Sequence, residues 1–173
     1  MAANYSSTGS DTFPAGHVIQ TTTVPLGTTK TTISSPINGN WGATVVSGSI
    51  TPLYSNSSII IHAKFSIRIG DNGGDSGFGY RFYRSASGIT DDYIDSISGW
   101  TSGSVHSQMY RNPHSSTTVV SEHDLSWIDN NVSIASTAVT YTLYVSTYQV
   151  SEVIVVGAEY QGRWDVFFQE IKR

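Results

Sequence analysis

Along SIIIHAKFSIRIG (residues 58–70), Ile59, Ile61, Ala63, Phe65, Ile67 and Ile69 occupy every second position. Side chains of a strand alternate between faces, so this spacing gathers six apolar groups on one side. Ser58, Ile60, His62, Lys64, Ser66 and Arg68 fall on the other. On a helix the same residues would be spread around the axis. The segment is therefore a long strand with one buried and one wet face, which requires an antiparallel sheet packed on a second layer.

The same period recurs. In FGYRFYR (78–84), Phe78, Tyr80 and Phe82 oppose Gly79, Arg81 and Tyr83, and in 138–147 Val139, Tyr141, Leu143 and Val145 share a face. Segments 17–23, 42–50, 104–111, 117–127, 150–158 and 164–172 also read as strands. Charged residues make up only 13% of the chain, and Ser and Thr together about a quarter, so polarity comes from hydroxyls that suit pleated sheets better than helices. The expected fold is all-β, an antiparallel two-sheet β-sandwich or jelly roll over 17–173, preceded by a flexible Ser/Thr/Gly-rich N-terminal arm over 1–16.

Composition also narrows the partners. A formal charge of -4 with 9 Lys plus Arg leaves no basic patch for nucleic acid or an anionic membrane. The absence of cysteine excludes disulfides, thiolate metal sites and a cysteine nucleophile. The first residues lack a basic start and an apolar run, so synthesis in the cytosol without a cleaved signal peptide is expected.

GDSG around Ser76 matches the surroundings of a trypsin-like nucleophile, but only His17 and His62 precede it, and the acids Asp71 and Asp75 lie almost beside it, so no triad can be assembled. Asp71 and Asp75 are weak calcium candidates, because the loop lacks the alternating acids and closing Glu of an EF-hand. The Asn-Gly of DNGGD reads more simply as the turn of a hairpin between two alternating strands. His106, His114 and His123, with Glu122 and Asp124, lack the spacing of a metal site. Asp91, Asp92 and Asp95 sit in one acidic stretch, where adjacent carboxylates usually only keep a loop solvated. Tyr93, Trp100 and Tyr110 could stack on a sugar, with Asp91 and Asp92 accepting its hydroxyl hydrogens. No catalytic residue, metal or cofactor is expected.

Taken together, PAGHVIQTTTV, ITPLYSNSSIIIHAKFSIRIG, YRFYRSASGI, VTYTLYVSTY and FFQEIKR resemble the small β-sandwich virion proteins of tailed bacteriophages, modules of tail or head fibres and capsid decorations. The resemblance covers about 17–173 and implies a non-enzymatic structural protein made in the host cytoplasm and carried on the virion. It further implies self-assembly as a homotrimer and docking onto other virion proteins through the N-terminal arm. The alternative expectation is a β-sandwich module binding a host surface glycan or receptor.

Overall fold

The computed structural model describes residues 15–34, 41–70, 78–94, 119–147, 153–157 and 163–173. Among them run β1 (Val18–Thr23), β2 (Lys30–Ser34), β3 (Gly42–Ile50), β4 (Ser57–Gly70), β5 (Phe78–Ser85), β6 (Asp92–Tyr93), β7 (Val119–Asp129), β8 (Val139–Thr147), β9 (Val153–Gly157) and β10 (Asp165–Lys172). All pairings are antiparallel.

β4 organises the first sheet. Along one edge it pairs with β10, from Ser57↔Lys172 to Lys64↔Asp165, and then with β9, from Ser66↔Gly157 to Gly70↔Val153. β9 and β10 are thus two halves of one column. β1 and β2 form the next column in the same way, joined by the bridge Gly27↔Trp164, while β7 covers the other edge of β4. The second sheet has the order β3-β8-β5-β6.

The pairings β1/β2 with β10/β9, β3 with β8, β4 with β7 and β5 with β6 are the rungs of one long antiparallel hairpin. The rungs alternate between the two sheets, which is the jelly-roll arrangement. The expectation of an antiparallel two-sheet sandwich is met.

Pro25, which has no N–H to donate, falls at the break between β1 and β2. Hydrogen bonds from Val24 N to Val166 O (2.8 Å) and Gly27 N to Trp164 O (2.8 Å) carry the pairing across it. Residue 27 must be glycine, since a Cβ there would lie 1.8 Å from Cε2 of the Trp164 indole.

The core lies between the sheets, and the inward faces fall where the alternation put them. Ile59, Ile61, Ala63, Phe65, Ile67 and Ile69 of β4 meet Phe78, Tyr80 and Phe82 of β5 and Val139, Tyr141, Leu143 and Val145 of β8. Burying each of the large side chains contributes roughly 1.5–3 kcal/mol. Trp127 of β7 closes one side, packing edge-on against Tyr80 and Phe82 with centroids 5.6 and 5.4 Å apart.

Two expectations need correction. β4 and β5 are not a hairpin, since β4 lies in the first sheet and β5 in the second. Alternation fixes which face is buried, and an inward face suits a strand of either sheet. β2 and β6 stand in segments read from sequence as connections, because Pro25 and Pro36 masked the first and adjacent acids the second. The strand expected over 104–111 lies outside the described residues.

Candidate functional site

The outer face of the second sheet carries a cluster of rings around one cation. Register places Tyr144 of β8 between Ala43 of β3 and Arg81 of β5, and in the next row it aligns Ser47, Thr142, Tyr83 and Tyr93 across all four strands. Arg81 and Tyr83 face outward because Tyr80 and Phe82 are committed to the core, and the two parities cannot mix.

The guanidinium carbon of Arg81 lies 3.1 Å from the Tyr93 ring centroid and 4.1 Å from that of Trp41, which enters just before β3. Such contacts attract the cation to the negative ring faces and fix the rings' orientation. Tyr83 packs against Tyr93 at 5.0 Å and against Tyr144 at 5.3 Å, while Tyr93 and Tyr144 meet edge to face at 5.6 Å. Burial raises the Tyr144 phenol above its ordinary pKa, and the neighbouring phenols of Tyr93 and Tyr83 raise it further. All five side chains are partly exposed.

Beside the rings runs a hydroxyl ladder, with Ser47 Oγ 2.9 Å from Thr142 Oγ1 and Ser49 Oγ 2.8 Å from Thr140 Oγ1. At the other end, Asp91 Oδ1 accepts from Ala86 N (3.1 Å) and Asp92 Oδ1 from Tyr93 N (2.7 Å), which shapes the link from β5 to β6. Both acids are exposed.

The buried ionisable groups lie elsewhere. Arg84, next inward after Phe82, donates from Nη1 to both carboxylate oxygens of Asp129 at 3.0 Å. Tyr141 OH donates to Asp129 Oδ2 (3.0 Å) and Asn131 N to Oδ1 (2.9 Å). The Tyr141 phenol is pushed far above its usual range, first by burial and then by the Asp129 charge and hydrogen bond, with Arg84 acting in the opposite sense.

Glu170, fully buried at one end of the sandwich, accepts from Gln20 Nε2 (2.6 Å), Ser57 Oγ (2.5 Å), Leu53 N (2.9 Å) and Tyr54 N (3.1 Å). It ties the link between β3 and β4 to β1 and β10. His123 is packed among Phe65, Phe78 and Tyr80, hydrogen-bonds Ser121 Oγ at 2.8 Å, and is lowered in pKa by burial.

Of the residues singled out from sequence, Tyr93 falls in the aromatic cluster, while Asp91 and Asp92 hold the link that leads into β6, with Asp92 opposite Arg84 and not on the face of Tyr93. Trp100, Tyr110, Asp71, Asp75, Ser76, Asp95, His106 and His114 lie outside the described residues. His62 stacks on Phe167 at 4.2 Å and meets Ser126 Oγ at 2.7 Å on the outer face of the first sheet. Trp41, Arg81, Tyr83 and Tyr144 were missed. For Arg81, Tyr83 and Tyr144 the signal was outward parity on strands already recognised, while Trp41 lies just before β3, and register brings them together.

Among the described residues, no three His, Cys, Asp or Glu side chains are grouped so as to hold a metal ion. The buried ionisable groups are engaged in holding strands and links together. The fold is a two-sheet antiparallel sandwich of jelly-roll type.

No protein-family model and no curated protein sequence matches the chain. Among solved structures it is similar to the T13 viral particle of infectious bursal disease virus, at 11% identity and a TM-score of 0.45, over 99% of this chain and 39% of that one. It is also similar to the Gx strain of that virus (12% identity, TM-score 0.40, covering 88% and 36%) and to its VP2 subviral particle (14%, 0.38, covering 89% and 38%). The chain spans less than two fifths of the length of these proteins.

The bacteriophage resemblance is corrected by these matches, which are to particles of infectious bursal disease virus and not to phage tail, fibre or decoration proteins. The sequence blocks that suggested it are strand and turn patterns, which any sandwich with this burial reproduces.

Proposed function

We propose that the chain is a structural component of a virus particle, a jelly-roll unit that packs against copies of itself. The observation that carries the reading is topological. Four antiparallel rungs alternate between two sheets, an architecture found in viral capsids, lectins and cupins. A cupin would use a histidine cluster for metal chemistry, whereas among the described residues His62 and His123 lie on opposite faces of the first sheet and each is engaged with a serine.

The distribution of exposed aliphatic groups supports contact between copies. Val18, Val120 and Ile128 stand on β1 and β7 of the first sheet, and Leu26 and Leu53 on links from β1 and β3. β7 is an 11-residue strand paired to β4 on one side, and such an edge is commonly covered by a neighbour. Residues 1–16 are proposed as the arm that docks the unit onto the particle, and a closed symmetric assembly such as a trimer as its solution form.

Light scattering after gel filtration, on the full chain and on a version lacking residues 1–16, tests this. Oligomers of one defined mass in both samples support a sandwich that assembles by itself. Monomers in both at high concentration would overturn the reading.

A further inference from the structure

β7 is held unevenly along its length. Among the described strands it pairs with β4 alone, from Ile59↔Asp129 to Ile69↔Val119. Its carboxyl-terminal half is well anchored. Leu125 packs on the core, Trp127 lies against Tyr80 and Phe82, and Asp129 is bound by Arg84, Tyr141 and Asn131. In residues 120–124 the buried side chain is that of His123, at 6% exposure. Val120, Glu122 and Asp124 are exposed on the outer face, and Ser121 is half-buried.

The surroundings of His123 suit a neutral ring. From β4, Phe65 stacks on it at 5.6 Å, and from β5, Phe78 and Tyr80 meet it at 5.3 and 5.8 Å. On β7 itself, Ser121 Oγ lies 2.8 Å from Nε2. Tyr80 is the titratable group among these neighbours, and burial raises its pKa, so the phenol keeps its proton. His62, Lys64 and Arg68 of β4, with Glu122 and Asp124 of β7, belong by parity to the other face of the sheet. Among the described residues, no carboxylate meets the imidazole to balance a second proton, and burying an unpaired charge is costly.

We propose that the amino-terminal half of β7 is an acid-released latch. When His123 takes up a proton, residues 119–124 detach from β4 while Leu125, Trp127 and Asp129 hold the rest of the strand in place. β4 keeps its other neighbour there, because β9 still pairs with Ser66–Gly70 along the opposite edge. The opening is thus local. Protonation favours the open form below the ordinary histidine pKa of 6.5, with full effect once the pH has passed the lowered folded value. Between pH 7.5 and 5 the opening constant should rise severalfold, under a ceiling of about thirtyfold set by that ordinary value. Val120, one of the exposed groups assigned to contact between copies, rides on this half, so acid would loosen such a contact as well. That consequence rests on the particle role proposed above, whereas the release concerns a single copy.

The test is peptide-resolved hydrogen exchange on the full chain at pH 7.5 and 5, each rate corrected for the intrinsic effect of pH. Protection of residues 120–124 should fall severalfold while that of residues 126–129 and of β10 holds, and His123→Phe should abolish the difference. Equal loss in both halves of β7, unchanged protection of residues 120–124 in the native chain, or an undiminished loss in His123→Phe would overturn the proposal. His123→Leu serves if the phenylalanine variant fails to fold, and the contrast between the two halves of β7 is read in the native chain itself. This readout does not require copies to associate, so it stands or falls apart from the particle role.

Discussion

Replacing Asp129 with Asn removes the negative charge that faces the buried Arg84 guanidinium. The side chains of the pair are 9% and 0% exposed, and Arg84 Nη1 reaches both carboxylate oxygens at 3.0 Å. An amide still offers one acceptor oxygen to Tyr141 OH or Asn131 N, but it leaves Arg84 with an uncompensated charge out of water. Breaking one side of such a pair costs about 3–5 kcal/mol, a large part of the roughly 5–15 kcal/mol that holds a domain folded. With a urea dependence of about 2 kcal/mol per molar, the midpoint should fall by about 2 M, followed by tryptophan fluorescence, to which Trp127, packed against the core, contributes. Arg84→Met should cost about 3 kcal/mol, since it leaves the carboxylate buried with Tyr141 and Asn131 alone. The double variant should be more stable than the sum of the two losses by about 2 kcal/mol or more, because each single change orphans the other's charge. Additive losses, or a loss under about 1 kcal/mol for Asp129→Asn, would refute the view that these groups are coupled.

Burial also makes His123 a source of pH dependence. The groups facing it are Phe65 of β4, Phe78 and Tyr80 of β5 and Ser121 of its own strand, so none of these neighbours is a carboxylate that would welcome a proton. Its pKa in the fold lies below the ordinary 6.5, so the unfolded chain takes up the proton first. Its contribution is therefore complete above pH about 6.5 and is lost as the pH falls through the folded value. Urea midpoints at pH 7.5 and 5 should differ less in His123→Phe than in the native chain, and an equal difference would count against this assignment. Glu170→Gln should cost about 2–3 kcal/mol, because an amide cannot accept from Gln20, Ser57, Leu53 and Tyr54 as a carboxylate does, and proteolysis between β3 and β4 should accelerate. Gly157→Ala combines a φ of +124° with a Cβ only 2.6 Å from the Thr29 carbonyl oxygen, so a loss of about 2 kcal/mol or more in a melting experiment is expected.

Legibility in the sequence followed the reach of each physical rule. The faces of β4, β5 and β8 were readable because period two is local, and each inward residue named from it is buried. Strand partners were not readable, which is why β4 and β5 were wrongly joined as a hairpin. The buried charges left a faint mark. Arg84 continues the inward series Phe78, Tyr80, Phe82, and Glu170 continues Val166, Phe168, so a charged residue at an inward position announced an internal partner without naming it. Tyr93 stood out as an aromatic among acids, but its companions Trp41, Arg81, Tyr83 and Tyr144 come from three other segments, which cross-strand register aligns.

Negative-stain electron microscopy of the full chain over a rising concentration series tests the particle role most directly. The structural reading predicts regular closed assemblies of one size, whose formation is impaired by Ile128→Asp and Val120→Asp on the outer face of β7. A dispersed monomer at every concentration, unaffected by either substitution, would contradict it.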